Sequence, residues 1–311
     1  MNSHAARHLI STVDLSDAEL RALVERGREF SRESVRSGDQ LAGLVVGINF
    51  LKTSTRTRTS FSAAALRLGA GIISFGPDDL QINTGETLED TGEVLSRMLD
   101  LLVVRSAGDP GDLHAFTGQR RMSVINAMTA DEHPTQAVTD LITLLRHFGR
   151  IEGLRICYVG EGNNTAAALA LTLSRFKGVH LRLCTPPGYG LAPATLRRAL
   201  ANAEEADATV VEVHSMDTPP AGFDAFYATR WQTTGTNKPD PDWRRVFAPF
   251  QATAALWDAS PDAVFLHDLP AHRGEDVTAE VLDGPHSLAF DQAENKMYAA
   301  MSVLEWCARR N

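Results

Sequence analysis

The sequence predicts an α/β protein built from two doubly wound parallel-sheet domains. Short apolar runs of strand length alternate with amphipathic stretches at helical spacing, the pattern of parallel strands covered on both faces. The alternation runs through the first half of the chain, breaks near Gly149 to Gly153, and restarts. A chain of 311 residues with 43% hydrophobic and 22% charged residues has enough apolar material for two such cores.

The elements follow in order. Ser16-Asp-Ala-Glu19 is a capping box opening a helix that buries Leu20, Leu23, Val24 and Phe30. Leu44 to Phe50 is a buried strand running into Lys52-Thr-Ser-Thr-Arg-Thr-Arg58. Phe61, Ala64, Ala65 and Leu68 then recur at helical spacing until Gly69 and Gly71 end the helix. Gly71 to Phe75 is a strand, Thr87 to Met98 a helix, Leu101 to Val104 a strand ending at Arg105. Ser123 to Ala127 is a strand ending before His133, and Ala137 to Phe148 is a long helix. In the second half, strand Leu154 to Val159 leads through a Gly-Asn turn into helix Ala166 to Phe176. Strand Val179 to Cys184 and helix Pro193 to Ala203 come next, then strands at Thr209 to Val213, Ala225 to Ala228 and Ala263 to Leu266. A helix over Ala293 to Cys307 closes the chain, and Asn237 to Trp243, with two prolines, reads as an exposed loop.

Composition narrows the function. With 30 basic and 39 acidic residues the net charge is −9, so the chain has no general attraction for nucleic acid or anionic membrane. A site for an anion must be built locally, against that field. No apolar run reaches 18 residues, and the start, MNSHAARHLISTVDLSDAEL, lacks the pattern of a signal peptide. Cys157, Cys184 and Cys307 form no CxxC, which disfavours a disulfide framework or a zinc site and fits a reducing cytoplasm. No cofactor is called for, and no metal-ligand spacing occurs: His267 and His272 lie five apart across a proline. Only four of the basic residues are lysine: Lys52, Lys177, Lys238 and Lys296.

Three features could carry chemistry. Ser54-Thr55-Arg56-Thr57-Arg58 falls between a strand and a helix, where free backbone N–H groups and the helix dipole attract an anion. Hydroxyls of Ser54, Thr55 and Thr57 can add hydrogen bonds, and Arg56 a charge-assisted contact. Ordinary helix capping by Ser54 or Thr55, with solvated arginines, stands beside that reading. Arg105 ends a strand, where ligands bind in open α/β sheets; a plain surface arginine is its alternative. His133-Pro-Thr-Gln136 offers a donor for an oxyanion and an amide for another amide, although a histidine before proline also serves as a turn residue.

Taken in order with His267-Asp-Leu-Pro-Ala271 and Phe290-Asp-Gln-Ala-Glu-Asn295, these motifs resemble the aspartate/ornithine carbamoyltransferase family from about Phe50 to about Leu304. The resemblance implies a transferase that moves the carbamoyl group of carbamoyl phosphate to an amine and releases phosphate. It implies a carbamoyl-phosphate-binding domain over residues 1–148, completed by a C-terminal helix at 292–311, and an acceptor-binding domain over 149–291. It also implies a homotrimer with shared active sites. Donor contacts would come from Ser54, Thr55, Arg56, Thr57, Gln81, Arg105, His133, Gln136, Leu269 and Lys296, with Gln81 lent to a neighbouring subunit. Asn164, Arg230, Gln232 and Thr233 would bind the acceptor. Arg105, His133 and Asp268 would be the catalytic set.

Departures from the family pattern bear on the acceptor. Asp268 stands where the ornithine branch has cysteine, and Lys296 where it has arginine. The stretch Tyr227-Ala-Thr-Arg-Trp-Gln-Thr-Thr-Gly235 lacks that branch's acidic residue and resembles the aspartate branch in its Thr-Arg-x-Gln core. Thr84 and Ala166 replace a lysine and an arginine of the aspartate branch. These differences point away from plain ornithine and toward a short diamino acid such as 2,3-diaminopropionate in specialised biosynthesis, with ornithine or aspartate as the alternative. A non-catalytic carbamoyl-phosphate-binding relative is a second alternative. An NAD-dependent oxidoreductase is a third, weakened because Gly160-Glu-Gly162 is followed by Thr165 and leaves GxGxxG incomplete.

Overall fold

Two all-parallel sheets organise the chain in the computed structural model, which describes residues 6–33, 38–106, 108–217, 220–233 and 236–309. The chain divides into two units, 1–142 with 294–311 and 143–293.

Unit 1 contains α1 (Asp17–Glu33), β1 (Val45–Phe50), α2 (Thr55–Arg67), β2 (Gly71–Phe75), α3 (Leu88–Leu95), β3 (Leu101–Arg105), α4 (Pro110–Thr117) and β4 (Ser123–Met128). The sheet order is β2-β1-β3-β4. Strands β3 and β4 are buried at every position, as a sheet covered on both faces requires. Helix α1 turns Leu20, Leu23, Val24 and Phe30 inward, each burial contributing about 1.5–3 kcal/mol. Its start is held by the reciprocal bonds of Ser16 and Glu19. Helix α4 is absent from the pattern-based reading, yet Asp109 caps Gly111 N–H and Pro110 occupies the first turn. Only Leu113 and Phe116 are buried on it, so no apolar stripe advertises it.

Helix α5 (Pro134–Phe148) leads on to unit 2, with β5 (Arg155–Val159), α6 (Asn164–Leu173), β6 (His180–Cys184), α7 (Pro193–Ala206), β7 (Thr209–Val213), β8 (Ala225–Ala228), α8 (Trp243–Phe247), β9 (Val264–His267) and α9 (Ala279–Leu282). The sheet order is β7-β6-β5-β8-β9, with the order reversing between β5 and β8, the switch point at which such sheets bind ligands. Helix α10 (Ala289–Ala308) ends the described chain. The division between the units falls inside α5 and inside α10.

The segment expected to be an exposed loop is partly an inner structure. Asn237 and residues 239–242 are exposed, but the Lys238 side chain is 3% exposed and Trp243 is buried in a cluster with Trp231 and Phe247. The three cysteines are buried and unbonded, with Cys157 Sγ and Cys184 Sγ 3.8 Å apart. No helix among the described residues is long and apolar enough to cross a membrane.

Candidate active site

In unit 1 the C-terminal ends of β1 and β3 deliver the chain to the start of α2, with Phe50 in register with Arg105. Ser54 is the extended N-cap of α2, and its hydroxyl makes no capping bond, so the first-turn N–H groups are not closed off by the side chain usually used for this. Thr57 and Arg105 are buried, and the Arg105 guanidinium reaches Thr57 Oγ1 at 3.4 Å. Arg58 turns away: it lies 5.1 Å from the Phe50 ring centre and donates to Ser74 Oγ at 3.0 Å. Thr55 is exposed and Arg56 half-buried at the same turn.

A narrow pocket next to this corner is lined by Thr57, His133, Thr135, Gln136, Thr139 and Lys296. His133 precedes Pro134, and its carbonyl accepts from Gln136 N–H at 3.0 Å. Burial holds the ring well below the ordinary imidazole range, and the Lys296 and Arg105 cations push the same way, so His133 is neutral at physiological pH. The Gln136 amide is fixed at both ends. Its Nε2 donates to buried Asp140 at 2.7 Å, and its Oε1 accepts from Lys296 Nζ. Asp140 lies one helical turn beyond Gln136 and was not singled out from sequence, although that spacing alone could have found it.

Glu132, also missed, anchors the turn before His133. Its carboxylate accepts from Thr12 N–H at 2.8 Å and from the hydroxyls of Thr12 and Ser11. Burial raises its carboxyl above the usual range, and these donors pull it back. Gln81 lies beyond β2 in the chain. It sits exposed in a short 3₁₀ turn, Gln81–Thr84, where Thr84 Oγ1 donates to its Oε1 at 2.8 Å.

In unit 2 the ends of β5, β8 and β9 carry a second cluster. The Asp268 carboxylate accepts from Thr165 Oγ1 at 2.9 Å and from Thr229 Oγ1 at 3.1 Å, and its side chain is 17% exposed. The turn that bears it is built stiffly. His267 Nδ1 accepts from Leu269 N–H at 2.8 Å, which leaves Nε2 to donate to the buried Asp276 carboxylate at 2.9 Å. Leu269 has φ +53°, a left-handed conformation that a leucine holds only where its surroundings impose it.

The acceptor segment after β8 is anchored from the β5–α6 turn. Asn163 caps α6 through its Oδ1 and donates from Nδ2 to Thr233 Oγ1 at 3.1 Å and Thr229 Oγ1 at 3.3 Å. Asn164, the asparagine implied by the resemblance, is the buried first residue of α6. Arg230 is half-buried and makes no hydrogen bond or ion pair with a described residue. Gln232 Nε2 donates to Thr236 O at 2.9 Å.

One carboxylate here was not anticipated. Glu161 accepts from Lys238 Nζ at 2.7 Å and from Thr233 Oγ1 at 3.1 Å. The Lys238 ammonium lies 4.5 Å from the ring centres of both Tyr189 and Phe247 and 5.4 Å from that of Trp243. A desolvated cation on aromatic faces gains roughly 2 kcal/mol, which helps offset the cost of burying the lysine.

Gly162 lets this turn approach its neighbour. A Cβ there would stand 2.3 Å from Gly190 C and 2.4 Å from Leu191 N, backbone that cannot step aside. Gly162→Ala is therefore expected to lower stability by about 3 kcal/mol, seen as a Tm drop of roughly 6–12 °C. Thermal unfolding followed by circular dichroism checks this; an unchanged Tm would mean that the two turns are free to separate.

The model of the aspartate/ornithine carbamoyltransferase carbamoyl-P binding domain matches residues 7–146, and that of the family's Asp/Orn binding domain matches residues 152–307. The protein is a transferase of the carbamoyl-transferring class. It belongs to the aspartate/ornithine carbamoyltransferase family, as its motifs had suggested. Ornithine carbamoyltransferase from Gloeobacter violaceus is 38% identical over 303 residues, covering 95% of this chain and 94% of that one. The relative of the same name from Symbiobacterium thermophilum is 36% identical and covers 98% of each. Among solved structures, ornithine carbamoyltransferase from Pyrococcus furiosus superposes with TM-score 0.90 at 33% identity, over 98% of this chain and 97% of that one. The two parallel-sheet α/β domains expected from sequence are those of this fold.

Proposed function

We propose that the protein transfers the carbamoyl group of carbamoyl phosphate to a side-chain amine of a small diamino acid, with L-ornithine the first candidate. The Asp268 carboxylate, partly open to solvent and hydrogen-bonded to Thr229, carries this reading. The case for an unusual acceptor rested on an acidic residue missing from the Thr229 stretch. An acid is present against Thr229 after all, contributed by the residue that follows the neighbouring strand β9. The names of the similar proteins also favour ornithine over a shorter diamino acid.

In this reading unit 1 serves the donor. The α2 N-terminus with Ser54, Thr55, Arg56 and Thr57 holds the phosphate, where backbone N–H groups and cationic side chains favour an anion despite the net charge of −9. Arg105 and neutral His133 face the carbonyl oxygen and stabilise the tetrahedral oxyanion, each such donor contributing roughly 2.7–4 kcal/mol. Gln136, oriented by Asp140 and Lys296, orients the carbamoyl NH2. Unit 2 serves the acceptor. Arg230, Gln232 and Thr233, with Asn164, hold its α-carbon groups, Arg230 taking the carboxylate. The amine attacks the carbonyl carbon, the C–O bond to phosphate breaks, and the amine proton leaves to Asp268 or to the departing phosphate. A homotrimer in which Gln81 is lent to a neighbour belongs to the same proposal.

Incubation with carbamoyl phosphate and a panel of amines tests it, with phosphate release and product mass as readouts. The panel is L-ornithine, L-lysine, 2,4-diaminobutyrate, 2,3-diaminopropionate and L-aspartate. L-Ornithine is expected to exceed each of the others in kcat/KM by about tenfold or more, a difference of about 1.4 kcal/mol at the barrier. A maximum at 2,3-diaminopropionate or aspartate would overturn the acceptor assignment, and no amine-dependent phosphate release would overturn catalysis.

A further inference from the structure

Lys238 and Glu161 form a clasp that the reaction as proposed does not use. The two residues are 77 positions apart, one on the β5–α6 turn and the other beyond the acceptor segment. The Lys238 side chain is 3% exposed although most of its flanking residues are exposed, so the chain turns one cation inward from an otherwise solvated stretch. The three aromatic rings that receive it come from two places: Tyr189 after β6, and Trp243 and Phe247 on α8. Trp231, within the acceptor segment itself, packs on Trp243 and Phe247 with ring centres 6.5 and 5.8 Å away. The same Glu161 carboxylate that binds Lys238 accepts from Thr233.

We infer that Lys238 is a positioning residue for the acceptor, fixing the Arg230–Thr233 stretch by holding Glu161 against Thr233. The inference rests on the assignment of that stretch to acceptor binding. The physical argument concerns Glu161. A carboxylate neutralised by a buried ammonium can keep one oxygen turned toward a neutral hydroxyl. Without the ammonium it would seek water or the cationic group of an incoming amino acid, and Thr233 would lose its fixed partner. The aromatic box holds Lys238 in turn, because an ammonium placed among three ring faces has few other low-energy positions. Asn163 bonds both Thr229 and Thr233, so a displacement of Thr233 would also disturb the hydroxyl that faces Asp268.

The test uses the full chain with Lys238→Met, Glu161→Gln, the double variant and Lys238→Arg. Methionine fills the aromatic box without the charge, and arginine restores the charge. Two readouts are combined: steady-state kinetics with both substrates, and hydrogen exchange of the Arg230–Thr233 amides without substrate. For Lys238→Met and Glu161→Gln the expected result is an acceptor KM raised about tenfold, donor KM unchanged and kcat within about threefold. Exchange in the segment should quicken in both. The double variant should be no worse than either single one, and Lys238→Arg should recover most of the loss. Unchanged exchange and unchanged acceptor KM would overturn the clasp, as would donor and acceptor KM rising together with a large fall in Tm. Should Lys238→Met fail to fold, Glu161→Gln and Lys238→Arg decide by the same criteria. Faster exchange with an unchanged acceptor KM would instead show that the segment does not bind the acceptor; exchange still judges the clasp if the wild type carbamoylates no amine.

Discussion

Arg105→Gln is expected to lower kcat/KM for carbamoyl phosphate by roughly 10²–10³-fold while leaving the fold intact. The side chain is buried at the end of β3, with its guanidinium near Thr57 and the start of α2. A fixed, buried cation contributes most where charge develops during reaction, which in the proposed reaction is the carbonyl oxygen of the donor. Glutamine keeps a donor for Thr57 but removes the charge. Thermal unfolding of the variant separates loss of stability from loss of catalysis, since a buried cation is being removed. Arg58→Gln is the control. That guanidinium lies over Phe50 and bonds Ser74, so its loss should cost under about threefold in rate. Equal effects of the two substitutions would remove Arg105 from its proposed role.

The same variant bears on His133. Its imidazole is depressed mainly by burial, then by Lys296 and Arg105. Removing Arg105 lifts one of the two cationic contributions, so the pKa moves up toward the ordinary range but stays below it. A group whose folded pKa is depressed by burial favours its neutral form, and folding is opposed only as pH falls below the unfolded value. His133 is therefore placed to donate as a neutral ring throughout the physiological range.

How far the molecule could be read in advance depends on the range of the contacts involved. Strands β3 and β4 are buried at every position and so appear as largely apolar runs, Leu101–Val104 in β3 and the residues around Asn126 in β4, and the turn before α2 is marked by its own hydroxyls and arginines. Such features are local. Helix α4 escaped because eight residues with two buried side chains carry little periodicity, and only its cap could have marked it. Lys238 escaped for a different reason. Two neighbouring prolines and exposed aspartates describe a loop correctly, but the partner that draws one lysine inward is 77 positions away. The Asp268–Thr229 contact is of the same kind: each residue departs from the family pattern at its own position, and only sheet pairing of β8 with β9 brings the two departures together. Motif reading treats substitutions one at a time and so does not see that a carboxylate after the neighbouring strand meets Thr229.

That carboxylate leads to the second large expected effect. Asp268→Asn keeps the size of the side chain and one acceptor for the Thr165 and Thr229 hydroxyls, so the turn held by His267 and Asp276 should persist. In the proposed reaction, what disappears is a base for the attacking amine. A diamino acid carries its side-chain amine as ammonium near neutrality, with a pKa of about 10 for an alkyl amine, and must shed a proton before or during attack. With the carboxylate present the enzyme can bind the abundant cation and remove the proton in place, a contribution of roughly 10²–10⁴. Without it, reaction depends on the scarce free base. The ratio of wild-type to variant kcat/KM for the acceptor should be about 10² near pH 7 and shrink to near one as pH rises to about 9, while the donor KM stays constant. The sign is diagnostic. A carboxylate that only attracts the ammonium would give an advantage that falls with the cation above its pKa but stays flat well below it. A base that removes the proton loses its advantage over free-base reaction by about tenfold for each unit of pH already below that pKa. A ratio independent of pH between about 7 and 9 would therefore leave Asp268 as an anchor for the acceptor and assign the proton to the departing phosphate.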